Sequence, residues 1–123
     1  MSPENNVTYL LEHVPPLTLQ DLKKDFGNRF EIAFARLFLL YGYFVWRAPI
    51  VNGSRPDFLV VNPRGATGQP RLVEVTQLTK KEALEKKQKQ IKNMKDSGLP
   101  WTLLTKENLL KVAAANPIYR RGL

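Results

Sequence analysis

The fold of this chain is decided by two short runs, Arg55-Pro56-Asp57-Phe58-Leu59-Val60-Val61 and Leu72-Val73-Glu74-Val75-Thr76. Both are apolar and rich in β-branched residues, which predicts two buried strands. Each run contains one carboxylate, Asp57 or Glu74, and burial disfavours the ionised form unless a positive charge lies close to it. The turn-rich segment 62–70 between them favours a reversal that makes the strands neighbours. The two carboxylates would then offer the hard oxygen ligands that magnesium prefers.

These runs resemble the defining motif of the PD-(D/E)xK nuclease superfamily, which has the restriction-endonuclease-like fold. The family motif is Pro-Asp on one strand, then an acid, one residue and a lysine on the next. Pro56-Asp57 matches the first half and Glu74-Val75 matches most of the second, whereas Thr76 stands at the position of the lysine. The resemblance covers residues 28–105. It implies an α/β fold with an αβββαβ core, in which helices flank a mixed central sheet.

Length and composition predict a single domain over residues 1–123. The chain is 43% hydrophobic and 10% aromatic, which suits one folded core of this size but not two. It contains no cysteine, which excludes a disulfide framework and a zinc–thiolate site. We find neither a membrane-spanning run nor a signal peptide. A soluble, cytoplasmic protein without membrane contact is therefore expected.

The charge of the chain indicates a polyanionic partner. Its formal net charge is +8, and lysine and arginine make most protein contacts to phosphate groups. Seven lysines lie between Lys80 and Asp96, against three acids, directly after the second acidic strand. A basic but inert surface is the alternative explanation of the charge, and a regulatory protein whose basic face meets an acidic protein is a further alternative.

Periodicity and breakers predict the order of the remaining elements. Residues 1–17 are expected to form an extended lead-in, because they show few periodic cues and contain Pro15-Pro16. The predicted helices cover residues 19–41, with an interruption at Gly27 and an end at Gly42, then 79–97, capped by Thr79, and 106–116. The predicted strands cover residues 43–48, 57–61, 71–75 and 101–105. The order is αβββαβ.

Glu31 is the third acidic residue expected at the site. At about 100° per residue it lies about 200° from Arg29 on the helix. It is flanked by Phe34 and Phe38, so its carboxylate projects from the apolar face. The resemblance implies an additional acid from this helix near the metal ions. The alternative is an ion pair at the helix margin with a lysine or with Arg47.

The lysine missing from the motif needs a substitute if the site is active. In the family this lysine acts on the attacking water or on the charge that develops at the phosphate, and Thr76 cannot supply that charge. We expect Lys80 to replace it, because Lys80 shares the inward line of its helix with Leu84. Lys81 and Gln77 are weaker alternatives. An impaired or inactive site is the other outcome.

The resemblance implies a magnesium-dependent DNA endonuclease, in which manganese substitutes for magnesium. Glu31, Asp57, Glu74 and the carbonyl of Val75 would hold the metal, and Lys80 would complete the catalytic set. The residues expected to bind the DNA backbone are Arg55, Lys81, Lys86, Lys87 and Lys89. Because one such site cuts one strand, a homodimer or higher oligomer is expected for double-strand cleavage. A catalytically inactive nucleic-acid-binding module of the same fold is the alternative function.

Overall fold

The structure is a computed structural model, and it describes residues 3–24, 29–65 and 68–115. The helices in these ranges are α1 (Pro3–His13), α2 (Leu19–Lys24), α3 (Arg29–Leu40), α4 (Lys80–Lys86), α5 (Gln88–Asp96) and α6 (Lys106–Ala115). The strands are β1 (Phe44–Arg47), β2 (Phe58–Val61), β3 (Arg71–Val75) and β4 (Trp101–Leu104). None of the helices in the described ranges is long and apolar enough to cross a membrane.

The four strands form one mixed sheet in the order β1-β2-β3-β4. β1 pairs antiparallel with β2, and β2 pairs antiparallel with β3. β4 pairs in parallel with β3. A parallel neighbour requires a crossover connection, and α4 and α5 provide it between β3 and β4. The α/β class, with a mixed sheet and flanking helices, is therefore as the sequence predicted.

Alternate strand residues face two hydrophobic clusters on opposite sides of the sheet. On one side, residues such as Phe58 and Val73 pack with α2, α3 and α6. On the other side, Leu59 and Leu72 pack with α1 and α5. β2 and β3 are thus covered on both faces, which explains why β2 and most of β3 are apolar. Arg71 at the start of β3 is exposed, whereas Glu74 lies in the buried part of the strand.

The N-terminal segment differs from the prediction. Residues 3–13 form α1, so the extended lead-in expected over residues 1–17 is wrong for this range. Val7 is buried in the same cluster as Trp46, and the indole N–H of Trp46 donates to the carbonyl oxygen of Val14 at 2.8 Å. The local sequence of this segment does not predict a helix, because its amphipathic pattern is weak. Tertiary contacts such as these stabilise the helix instead.

The helix predicted over residues 19–41 is present as α2 and α3, and its interruption at Gly27 lies outside the described residues. The predicted cap is confirmed, because the Asp21 N–H donates to Thr18 Oγ1 at 3.3 Å and the Thr18 N–H donates in return to Asp21 Oδ2 at 2.8 Å. Gly42 follows α3 with a φ of 84°, the left-handed conformation that suits glycine after a helix. The last predicted helix is α6, and its expected end at Asn116 also lies outside the described residues.

The helix predicted over residues 79–97 is broken at Lys87. Thr79 caps α4 as predicted, in a capping box with Glu82. Lys87 has φ −111° and ψ 24°, away from helical values, although its N–H still donates to the Ala83 carbonyl at 2.8 Å. Lysine is a good helix former, so local sequence does not reveal this break. The break coincides with a contact between the Lys87 side chain and Glu74 of β3.

Candidate functional site

Asp57 and Glu74 lie side by side at the end of the β2–β3 pair. The register pairs Phe58 with Val73, and continuing it by one residue places Asp57 opposite Glu74. The backbone N–H of Val75 donates to Asp57 Oδ2 at 2.7 Å, and the two carboxyl groups interact directly. The turn-rich segment between the strands thus brings the two acids together, as the sequence predicted.

Glu74 is buried, with 2% of its surface exposed. Its Oε1 atom has no hydrogen-bond partner among the described residues. Asp57 can donate to Glu74 only when it is itself protonated. Burying a charged oxygen without a donor or a cation costs free energy. The buried carboxylate of Glu74 is therefore destabilising unless a donor or a cation binds its Oε1 atom, and an apolar residue at this position would not have this cost.

The environment of Asp57 raises the pKa of its carboxyl group. Burial, the hydrogen bond to Glu74 and the negative charge of Glu74 together raise the pKa of Asp57 to about 7. The Val75 N–H and Glu31 act in the opposite direction. Two acids that contact each other in a partly dry site hold one proton between them more readily than two negative charges. A cation that binds between them would release this proton.

Lys87 is the lysine that the structure places at the acid pair. Its Nζ atom lies 2.8 Å from Glu74 Oε2, and 26% of its side-chain surface is exposed. The sequence instead predicts Lys87 as a contact to the DNA backbone and Lys80 as the replacement for the motif lysine. Lys87 stands at the break between α4 and α5, whereas Lys80 and Leu84, which the periodicity predicts on the inward line of the helix, are both exposed. Helical periodicity therefore did not identify the lysine that contacts Glu74.

Lys80 lies at a different cavity, of about 580 Å³, which is lined in part by Trp101, Leu103 and Lys111. Its backbone N–H donates to the carboxylate of Glu107 at 3.1 Å. Its catalytic role stays a prediction. Gln77 and Lys81, the alternatives, are exposed.

Glu31 reaches the site from α3. It is half-buried, and its hydrogen bond to Asp57 lowers the pKa of Asp57. Within residues 3–24, 29–65 and 68–115, however, no three acidic, histidine or cysteine side chains form a group that could hold one metal ion. The contacts are pairwise, Glu31 with Asp57 and Asp57 with Glu74. The three expected carboxylates therefore do not converge on one point: Asp57 and Glu74 form a pair, and Glu31 contacts only Asp57 of that pair.

The donor set at the pair fits a hard divalent cation. Carboxylate oxygens are the usual protein ligands of Mg²⁺ and Mn²⁺. Oε1 of Glu74 is buried and has no partner among the described residues, and Asp57 presents a second carboxylate beside it. The carbonyl of Val75 belongs to the same strand end, and its role as a ligand stays a prediction.

Thr76 cannot replace the motif lysine. It is buried, and its hydroxyl oxygen accepts a hydrogen bond from the N–H of Leu78 at 3.1 Å, so it shapes the turn that leads to α4. The other expected DNA-binding side chains are exposed: Arg55, Lys81, Lys86 and Lys89. Their predicted role in DNA binding depends on their positive charge.

Neither a family model, nor a curated protein, nor a solved structure matches this chain.

Proposed function

We propose that the protein is a metal-dependent endonuclease that hydrolyses phosphodiester bonds of DNA in the cytoplasm. The observation that carries the proposal is the contact between Asp57 and Glu74, with one buried carboxylate oxygen that has no partner among the described residues. Strongly shifted acids are concentrated at functional sites. The lysine at Glu74 adds the cation that phosphoryl chemistry requires near such acids.

The order of elements supports the resemblance to the PD-(D/E)xK superfamily. α3 precedes an antiparallel run of three strands, and a helical crossover leads to a fourth strand parallel to the third. This is the αβββαβ order that the resemblance implies. Asp57 directly precedes β2 and Glu74 lies on β3, which is compatible with the places that the resemblance implies for the two motif acids.

The residues have distinct roles in the proposed reaction. Asp57, Glu74 and the Val75 carbonyl would hold the metal, and Glu31 would orient Asp57 through their hydrogen bond. When bound, the ion supplies positive charge at the scissile phosphate and lowers the pKa of a water molecule. The Lys87 ammonium group fixes Glu74 and offers positive charge to the phosphate. Lys80 remains the alternative lysine for this second role.

Binding of DNA would rest on positive charge. The net charge is +8, and exposed side chains such as Arg55, Lys81, Lys86 and Lys89 would contact phosphates, which orients the duplex without reading its bases. We propose a homodimer for cleavage of both strands, because each site cuts one of them.

A catalytically inactive DNA-binding module is the second candidate function. The ion pair between Lys87 and Glu74 favours it, because it neutralises one of the two acids without a metal. Thr76 favours it as well, since it leaves the motif position uncharged. An inactive module would bind DNA through the same lysines but would not respond to Mg²⁺.

The test is cleavage of plasmid, branched and single-stranded DNA in the presence of Mg²⁺, Mn²⁺ or EDTA. We expect cleavage with either metal, none with EDTA, and none by the variant Asp57→Asn. The matched control is Glu85→Gln, which neutralises an exposed acid of α4 and should cleave as the wild type does. If the wild type binds all three DNAs but cuts none of them, the inactive module is the correct assignment.

A further inference from the structure

A basic pocket lies beside the acid pair, between α5 and the connection from β1 to β2. Its volume is about 440 Å³, and it is lined by Ser54, Leu78, Lys86, Lys87, Lys89 and Gln90. Pockets of a few hundred Å³ accommodate small ligands or parts of larger ones. This one is large enough for a nucleotide unit, and not only for a bare phosphate ion.

The β1–β2 connection, which forms one wall of the pocket, contains a tight turn closed by backbone hydrogen bonds. Asn52 and Gly53 have positive φ values of 50° and 85°, in a tight turn of the type that favours this Asn-Gly pair. On either side of the turn, Val51 and Ser54 exchange two backbone hydrogen bonds, at 2.6 and 2.9 Å. Ser54 is thereby held at the rim of the pocket.

Side-chain amides of α5 join this wall to the helix. The Gln90 amide donates to the Arg55 carbonyl at 3.2 Å, and the Asn93 amide donates to the Ser54 hydroxyl. In return, the Asn52 amide donates to the Asn93 carbonyl at 3.0 Å. These three bonds join α5, which carries Lys89, to the segment that leads directly into Asp57. The hydrogen bonds thus connect the pocket to the neighbourhood of the acid pair.

The lysines of the pocket differ in how their charge is used. Lys87 is paired with Glu74. In the described part of the chain, no ion pair joins Lys86 or Lys89 to a carboxylate. Glu82, which feels the charge of Lys86, has its carboxylate bound in the capping box of α4. Among the described residues, Lys86 and Lys89 therefore line the pocket without a carboxylate at ion-pair distance.

We propose that this pocket binds one phosphate group of the DNA strand, adjacent to the phosphate that the acid pair would cleave. Lys87 forms a wall common to both, so a strand that crosses Lys87 would present neighbouring phosphates to the two sites. The identity of the ligand as DNA rests on the proposed function. The pocket binds either an internal phosphodiester or a terminal 5′-phosphate, which have the same recognition chemistry.

The test is the affinity for a fluorescein-labelled DNA duplex, measured by fluorescence anisotropy over a range of salt concentrations in EDTA. Lys86→Gln, Lys89→Gln and their double variant are compared with the double variant Lys92→Gln/Lys95→Gln. The comparison pair removes two exposed lysines of α5, the helix that carries Lys89, and neither of them lines the pocket. Circular dichroism melts verify that all variants are folded.

We expect the pocket double variant to bind roughly tenfold more weakly and to lower the salt slope by about one unit, as expected for one lost phosphate. Each single variant should already cause most of that slope change, since both lysines hold the same phosphate. An equal loss in the comparison pair would overturn the proposal, because it would indicate a diffuse field. A duplex with a 5′-phosphate that binds more tightly than its 5′-hydroxyl counterpart identifies the terminal group, and equal binding identifies an internal one.

Failure of the pocket and failure of the proposed nuclease are separate results. Binding in EDTA does not require cleavage, so a protein that cuts no DNA but loses affinity only in the pocket variants retains the phosphate pocket. If the wild type cuts DNA but the pocket variants bind as tightly as the wild type, the nuclease proposal stands and the pocket proposal is overturned.

Discussion

At the scale of single residues, Glu74 shows why the site is not a product of packing alone. One of its oxygens is paired with Lys87 and the other is buried with no partner among the described residues. Replacing a buried ion pair with apolar residues is often neutral or stabilising. A carboxylate at this position of a buried strand thus costs stability, and together with the raised pKa of Asp57 it supports a functional role.

The pH dependence of stability follows from Asp57. Its pKa in the folded protein is raised from 3.8 to about 7, so between these pH values the folded state binds a proton that the unfolded state has released. The free energy of unfolding of the metal-free protein should therefore fall as the pH rises from about 4 to 7, and this contribution should stay constant above that range.

The measurement is a series of thermal melts in EDTA. Asp57→Asn should remove this fall and melt several degrees above the wild type at pH 7.5, at roughly 4 °C per kcal/mol. Asp96→Asn, at an exposed position of α5, serves as the control and should follow the wild-type curve. Identical pH profiles for wild type and Asp57→Asn would show that Asp57 titrates normally.

Lys87 should matter to both stability and turnover. Lys87→Met leaves the buried Glu74 without its cation, so we expect the metal-free protein to lose about 1–3 kcal/mol of unfolding free energy. If Lys87 also offers charge to the phosphate, kcat should fall by roughly 100-fold while KM changes little.

Lys80→Met decides between the two lysines, and Lys92→Met is the exposed control. Steady-state kinetics on plasmid DNA, together with urea unfolding, provide both readouts. A larger loss of kcat for Lys80→Met than for Lys87→Met would return the catalytic role to Lys80.

At the scale of elements, the sequence predicted what depends on neighbouring residues. The caps at Thr18 and Thr79, the end of α3 at Gly42 and the four strands all follow from local chemistry and periodicity. The helix α1 and the break at Lys87 could not be predicted, because both depend on contacts with residues that are distant in sequence. The acid pair was predictable because Asp57 and Glu74 lie within the two apolar runs that predict β2 and β3.

The amide contacts of α5 should affect the site more than their energy suggests. Asn93→Ala removes the donor to Ser54 and should cost about 1 kcal/mol. It should also lower kcat severalfold, because α5 positions Lys87 against the acid pair. The control is Asn108→Ala, which removes the acceptor for the Thr105 N–H at the start of α6. Melting temperature and kcat are measured for both, and equal losses of kcat would contradict a special role of α5.

At the scale of the whole molecule, the sheet has its acid pair and its lysine-bearing helices at one end of the β2–β3 pair. β4 continues the sheet in parallel on the far side of β3. A net charge of +8 would attract a polyanion such as the proposed DNA substrate to the surface generally. In the proposed nuclease one acid pair per chain would cut one strand, which is why the proposal includes a homodimer for duplex cleavage.

Subunit mixing tests that homodimer. When wild type is mixed with an excess of Asp57→Asn, most wild-type chains should be paired with an inactive partner. Plasmid cleavage should then produce nicked circles in place of linear DNA. An unchanged ratio of linear to nicked product, measured by gel electrophoresis at equal wild-type concentration, would mean that each chain acts alone.

The most direct measurement of the central claim is the single-turnover rate of Mg²⁺-dependent cleavage by Glu74→Gln. The DNA is fully bound, as verified by anisotropy, so the rate reports chemistry and not affinity. Loss of the Glu74 charge should leave binding intact or slightly stronger, since a negative charge near the phosphates is removed. The rate should fall by at least about 100-fold. Cleavage by Glu74→Gln at the wild-type rate would contradict the assignment of the acid pair as the centre of a metal-dependent nuclease.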